Sequence, residues 1–163
     1  MDEIDLQIKF YERIGVKPDL SHNTDGVYRG YIFENKKSID DINEVLWQAI
    51  KYLARTRERG EKMPANIILN DFSREQVHIY KTQDVFEEIH GDYFGAASKN
   101  NRAMPTIYNK LQYITIKYND SDGLMKLLEI VNKEEYIRYR VDNRNIYGLA
   151  REFYRLTYLN MSW

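Results

Sequence analysis

Asp25, Glu34 and Lys36 flank an Arg29-Gly30 dipeptide that separates two short apolar runs. Such a break between apolar runs predicts a β-hairpin. With Arg29-Gly30 as a two-residue turn, Tyr28 pairs with Tyr31 and Val27 with Ile32, and the register puts Asp25 opposite Glu34. Directly opposite residues share a face, with Cβ atoms about 4.5–5.5 Å apart. Lys36 lies two residues beyond Glu34 and so falls on that same face. Two carboxylates so close repel each other unless a cation sits between them. A divalent ion removes the repulsion, and hard oxygen ligands suit Mg²⁺. A lysine beside such an ion can position a water or stabilise a developing negative charge. The chemistry these residues point to is metal-assisted hydrolysis. A three-residue turn with a bulge would shift the register and separate them.

Several elements must hold this hairpin in place. Ile4, Ile8, Tyr11 and Ile14 recur at helical spacing, which predicts a short helix over residues 2–14. Breakers and turn formers fill 15–26. After the hairpin, Ser38 is a good N-cap with Asp41 three residues on, so a long helix is expected to begin there. Ile42, Val45, Leu46, Ala49, Ile50 and Leu53 form its apolar stripe, and Gly60 is its stop. ANIILND (65–71) is a continuous apolar run bounded by Pro64 and Asn70-Asp71, as in a buried strand, and QVHIYKT (76–82) alternates as its partner would. Strand, long helix and strand make a βαβ-type crossover, which predicts an α/β fold. Further on, residues 97–105 read as a polar loop and 111–120 as β-rich. Residues 122–133 and 146–159 read as helices.

The order of these residues resembles the PD-(D/E)XK nuclease superfamily. Thr24-Asp25-Gly26 is followed by Glu34-Asn35-Lys36 on the next strand, and Gln48 and Tyr52 on the long helix resemble the QxxxY motif of its RecB-like branch. More narrowly, TDGVYRGYIFENKKSIDDINEVLWQAIKYL looks like the N-terminal nuclease-like segment of restriction enzymes fused to adenine-specific DNA methylases. That likeness spans roughly 15–82, and NIYGLAREFYRLTYLN faintly resembles the helical connector before such a methylase. The resemblance implies a restriction-endonuclease-like mixed central sheet flanked by helices, with a helical C-terminal extension. Residues 1–120 would form the nuclease-like domain and 121–163 the extension. It also implies a Mg²⁺-dependent DNA endonuclease acting on double-stranded DNA. Asp25 and Glu34 would be the metal ligands, with the Asn35 main-chain carbonyl contributing, and Lys36 and Gln48 would act as catalytic groups. A fused or associated methylase, a homodimer and a longer parent protein are part of the same expectation.

Alternatives stay open at several positions. Pro18-Asp19 offers a literal PD before the ExK, so Asp19 competes with Asp25 as first carboxylate. Asp25 before Gly is also an ordinary turn residue, and Glu34 and Lys36 suit a solvated strand face. Lys37 adjoins the acidic set, while Arg138, Arg140 and Arg144 are interleaved with Tyr136 and Tyr139. Arg and Tyr in alternation suit phosphate contact and stacking. Together with Tyr52 they are the expected nucleic-acid contacts.

Composition bounds the rest. The chain has 163 residues, 43% hydrophobic and 30% charged, a globular mixture long enough for a real core. Its 24 Lys+Arg against 25 Asp+Glu exclude a globally basic coat, so polyanion binding would need local segregation of charge. With no cysteine, a disulfide scaffold, a thiolate zinc site and a cysteine nucleophile are excluded. No run approaches a membrane span, and the acidic start MDEIDLQ is unlike a signal peptide, so the expected address is the cytoplasm. The three prolines are never adjacent, which excludes the N/D-P-P-Y/F motif of an adenine methyltransferase. Two function classes follow: a metal-dependent endonuclease, or a non-catalytic DNA-binding or partner-docking module on the same fold.

Overall fold

The computed structural model describes residues 2–21, 24–89 and 104–138. Helix α1 spans Glu3–Ile14. Asp2 caps it, its side chain accepting the Asp5 N–H at 2.8 Å, and Gly15 ends it at φ 70°. The face that α1 buries keeps Tyr11 and Ile14 of the expected stripe but not Ile4 and Ile8. Phe10, Tyr11 and Ile14 are buried, whereas Ile4 and Ile8 are 68% and 51% exposed. The inward face runs Gln7, Phe10, Tyr11, Ile14, an i, i+3, i+4, i+7 set.

The expected hairpin forms with the expected register. Strands β1 (Gly26–Tyr28) and β2 (Tyr31–Lys36) pair antiparallel as Tyr28↔Tyr31, Val27↔Ile32 and Gly26↔Phe33. Arg29 and Gly30 both take positive φ, 48° and 92°, as the favoured two-residue turn requires. A Cβ on Gly30 would stand 1.8 Å from the Glu135 carbonyl oxygen. Gly30→Ala therefore meets both an unfavourable φ and a main-chain clash. It is expected to destabilise the protein by about 3 kcal/mol or more in a urea melt.

Helix α2 spans Ile42–Glu58, and the strands β3 (Asn66–Asp71) and β4 (Gln76–Lys81) follow. A 3₁₀ turn at Gln83–Val85, helix α3 (Met104–Lys110), strand β5 (Tyr113–Lys117) and helix α4 (Ser121–Val131) complete the described elements. The sheet order is β1-β2-β3-β4-β5, with β2 and β3 parallel and the other neighbours antiparallel. This is an α/β fold with a mixed central sheet flanked by helices, and α2 is the crossover between its parallel pair. Successive strand residues alternate between two cores. Ile32, Ile67, Leu69 and Tyr80 join α2 and Ile107 on one side. Tyr31, Phe33, Ile68, Val77 and Ile79 join α1 and α4 on the other.

Three expectations change. Helix α2 starts at Ile42, not Ser38, with Asp41 as its cap accepting the Asn43 and Glu44 N–H groups. Residues 37–39 are held instead to the end of β3: the Ile39 N–H donates to Asp71 Oδ2 at 3.2 Å, and the Ser73 N–H to the Lys37 carbonyl at 2.8 Å. Met104 begins a helix although it was placed in the polar loop; the rest of that loop, 97–103, lies outside the described residues. Residues 121–138, expected to open a separate extension, pack into both cores. Leu127 and Val131 join the α1 side and Ile137 the α2 side. The Ile137 N–H donates to the Met63 carbonyl at 2.8 Å, and the Glu135 N–H to that of Arg29 at 3.2 Å. The predicted helix at 146–159 lies outside the described residues.

Candidate metal and active site

The hairpin and the C-terminal ends of β2 and β3 bring together Asp25, Glu34 and Lys36, with Lys37 beside them. Regular pairing ends at Gly26↔Phe33, but Asp25 stays fastened to β2. Its N–H donates to the Phe33 carbonyl at 3.2 Å, and its Oδ2 accepts the Asn35 N–H at 2.7 Å. A carboxylate oxygen thus takes the place of the next ladder carbonyl, which seats the Asp25 carboxylate beside Glu34.

Glu34 is buried, with 2% of its surface exposed. Its parity puts it in the α2-facing row with Ile32, opposite Leu69 of β3. Burial first, and then the charge of Asp25, push the Glu34 carboxyl up to about 8; Lys36 opposes this, and a hydrogen bond to Asp25 open only to the protonated carboxyl adds to it. Near neutral pH and without a cation, Glu34 is therefore mostly protonated. Glu34 Oε1 is buried with no hydrogen-bond partner, and so is Oγ1 of the neighbouring Thr24. A buried oxygen without a donor costs free energy unless something cationic meets it. The donor set therefore fits a hard divalent ion. Among the described residues no cluster of three or more His, Asp or Glu side chains forms, so protein carboxylates at this site stop at two.

Lys36 is half-buried on the same face as Glu34, level with Asp71 of β3. Among the described residues it enters no ion pair. Asp71 is fully engaged. It accepts from Ser73 Oγ at 2.7 Å, the Arg74 N–H at 3.2 Å, Arg74 Nη1 at 2.5 Å and the Ile39 N–H at 3.2 Å. Burial alone would raise its carboxyl, but these donors hold it below the ordinary aspartate value. Asp71 was read from the sequence only as the end of a strand. In the fold it anchors the loop that follows Lys36.

The remaining sequence candidates are more scattered. Gln48 is half-buried on α2, off the Leu46-Ile50-Leu53 stripe that meets the sheet, and among the described residues no hydrogen bond links it to the carboxylate pair. Tyr52 packs partly buried against the α2-side core; burial raises its hydroxyl pKa, with the charges of Glu61 and Asp19 adding. Asp19 bridges Val27 on the outer edge of β1, and its carboxylate accepts the Ser21 N–H at 2.9 Å and Ser21 Oγ at 2.6 Å. One strand outside the pair and tied to its own turn, Asp19 is exposed, whereas Asp25 is joined directly to β2. Lys37 is exposed beside the site. Arg138 is exposed and its main chain is clamped by the Gln83 side chain at 2.8 and 2.6 Å. Arg140 and Arg144 lie outside the described residues.

The sequence reading missed the polar groups beneath the pair. Asn35, between Glu34 and Lys36, is fully buried. Its Nδ2 donates to Gln7 Oε1 at 2.9 Å and to Tyr11 Oη at 2.8 Å, and its Oδ1 accepts from Asn70 Nδ2 at 3.2 Å. Asn70 Oδ1 in turn accepts the Tyr118 hydroxyl at 2.7 Å. One signal was available: a glutamine at the fourth corner of the Phe10-Tyr11-Ile14 face, where a helix packed on a purely apolar core would carry an apolar residue.

No family model, no curated protein and no solved structure matches this chain.

Proposed function

We propose that the domain is a Mg²⁺-dependent DNA endonuclease that hydrolyses phosphodiester bonds in double-stranded DNA. The observation that carries this reading is the Asp25–Glu34 pair, in which a buried carboxylate lacks a donor for Oε1 and shares its face with a lysine in no described ion pair. Asp25 and Glu34 would hold the ion, with the Asn35 main-chain carbonyl as a further oxygen. Bound there, a divalent ion offsets charge on phosphoryl oxygens and makes water a better nucleophile at neutral pH. Lys36 places a fixed positive charge next to the scissile phosphate, where negative charge grows during attack. Gln48 would orient a member of this set, and Tyr52, Lys37, Arg138, Arg140 and Arg144 enter as DNA contacts. The methylase partner and the homodimer rest on the resemblance alone, and the proposed address is the cytoplasm. Among the described residues no helix is long and apolar enough to cross a membrane.

The experiment is cleavage of supercoiled and linear duplex DNA with Mg²⁺, by wild type and by Asp25→Asn. Wild type is expected to cut, and the variant to lose about 100-fold or more, as when one charge-stabilising group is removed. Equal activity in both, or none in wild type across substrates, sinks the nuclease reading. The second reading, a non-catalytic DNA-binding or docking module, is favoured by one observation: with Glu34 protonated, the pair is balanced without any ion. It predicts DNA binding that survives Glu34→Ala and needs no metal.

A further inference from the structure

The carboxylate pair is held from below by α1, and one hydroxyl reaches both strands. Tyr11 Oη donates to the Asp25 main-chain carbonyl at 2.8 Å and accepts from Asn35 Nδ2 at 2.8 Å. Asn35 in turn points its main-chain N–H at Asp25 Oδ2, 2.7 Å away. Tyr11, Asn35 and Asp25 therefore close a ring of hydrogen bonds that includes the first residue outside regular pairing and the residue between Glu34 and Lys36. The ring is enclosed: Tyr11 is 6% exposed and Asn35 0%. A Cβ on Gly26 would come within 2.8 Å of Tyr11 Oη, so the absence of a side chain there lets the hydroxyl in. Gln7 completes the amide of Asn35 from the same helix face. Burial raises the Tyr11 hydroxyl pKa above its ordinary value.

We propose that Tyr11 is a positioning residue: through its paired hydrogen bonds to Asp25 and Asn35 it sets the separation of the Asp25 and Glu34 carboxylates, and with it the affinity for a divalent cation. The inference rests on the metal-site reading above. Beyond the end of the ladder at Gly26, Asp25 is held by its two hydrogen bonds to β2 and by the Tyr11 hydroxyl on its main-chain carbonyl. Helix α1 thus adds a third hold on Asp25, which makes it part of the site.

The test is Mn²⁺ binding to the full chain by calorimetry, with Tyr31→Phe as control. Tyr31 is also buried on the α1 side, but its hydroxyl donates to the Ile130 and Lys133 carbonyls, away from the pair. Tyr11→Phe is expected to weaken Mn²⁺ binding by about 10-fold or more, the usual cost of losing a group that orients metal ligands. Tyr31→Phe is expected to leave the affinity at the wild-type value even though it lowers the melting temperature. Gln7→Ala, at a half-buried position, removes an acceptor of the Asn35 amide, should shift the affinity in the same direction and serves if Tyr11→Phe does not fold. Wild-type affinity in both Tyr11→Phe and Gln7→Ala overturns the proposal and leaves the metal site standing, as does an equal loss in Tyr31→Phe. Failure of the wild type itself to bind Mn²⁺ removes the metal site and the proposal together.

Discussion

Glu34→Gln is expected to abolish Mg²⁺-dependent cleavage of duplex DNA while making the metal-free protein more stable than wild type at pH 9. Both effects come from one environment. Glu34 titrates near 8 in the fold against an ordinary value of 4.5. Because the folded-state value is the higher one, the fold holds the proton more tightly than the unfolded chain does. The stability this group contributes is complete below about pH 4.5 and is lost as the pH rises through about 8. The full change is on the order of 5 kcal/mol, which corresponds to a drop in melting temperature of about 10 °C or more for a domain of this size. A glutamine imitates the protonated acid: its amide donates to the Asp25 carboxylate and carries no charge to desolvate. The melting temperature of the variant should then be nearly flat between pH 5 and 9, in EDTA, where that of wild type falls. Added Mg²⁺ should restore wild type at pH 9 and do nothing for the variant, since an ion stabilises only the ionised pair. A variant that melts below wild type at pH 9, or one that still cuts DNA, contradicts the assignment of Glu34.

Lys36→Ala is the second large effect, expected to lower kcat for cleavage by about 100- to 1000-fold with Mn²⁺ affinity held or slightly tightened. The lysine stands on the carboxylate face but is not a ligand, and its positive charge opposes a bound cation as much as it favours a phosphate. Removing it should therefore separate chemistry from metal binding, which no substitution at Asp25 or Glu34 can do. The charge of Lys36 also pulls the Glu34 carboxyl down. In the metal-free protein Lys36→Ala should thus carry the pH at which stability falls to a higher value. If cleavage and metal affinity drop together, Lys36 is supporting the fold of the loop after β2 and not the reaction. If cleavage is unchanged, the phosphate-stabilising role is wrong.

How much of this was legible beforehand depends on the range of the interaction. Arg29-Gly30 between two apolar runs predicted the turn, and two positive φ angles with the Tyr28↔Tyr31 register follow. The α2 stripe and the buried run of β3 likewise predicted a parallel crossover. Each depends on neighbours within one element, where periodicity and turn chemistry act. The start of α2 was misplaced for the complementary reason. Ser38 is a good cap by type, but Asp71, over thirty residues away, takes the Ile39 N–H, so the chain enters the helix later. The face of α1 was misjudged similarly. Ile4 and Ile8 look like core, yet the helix turns Gln7 inward beside the expected Tyr11, where the Asn35 amide donates to both.

What the sequence alone determined is most of the elements, the hairpin register and the placement of Glu34 and Lys36 on one face of β2, because strand parity and a two-residue turn leave one register. Tertiary structure decided whether that face is buried or merely wet. Packing of the sheet between two layers of helices leaves Glu34 2% exposed, and that burial is the first cause of its raised pKa. The same carboxylate on an open hairpin would be an ordinary solvated charge. Desolvation is a property of everything packed around a residue, and no local pattern of residues encodes it.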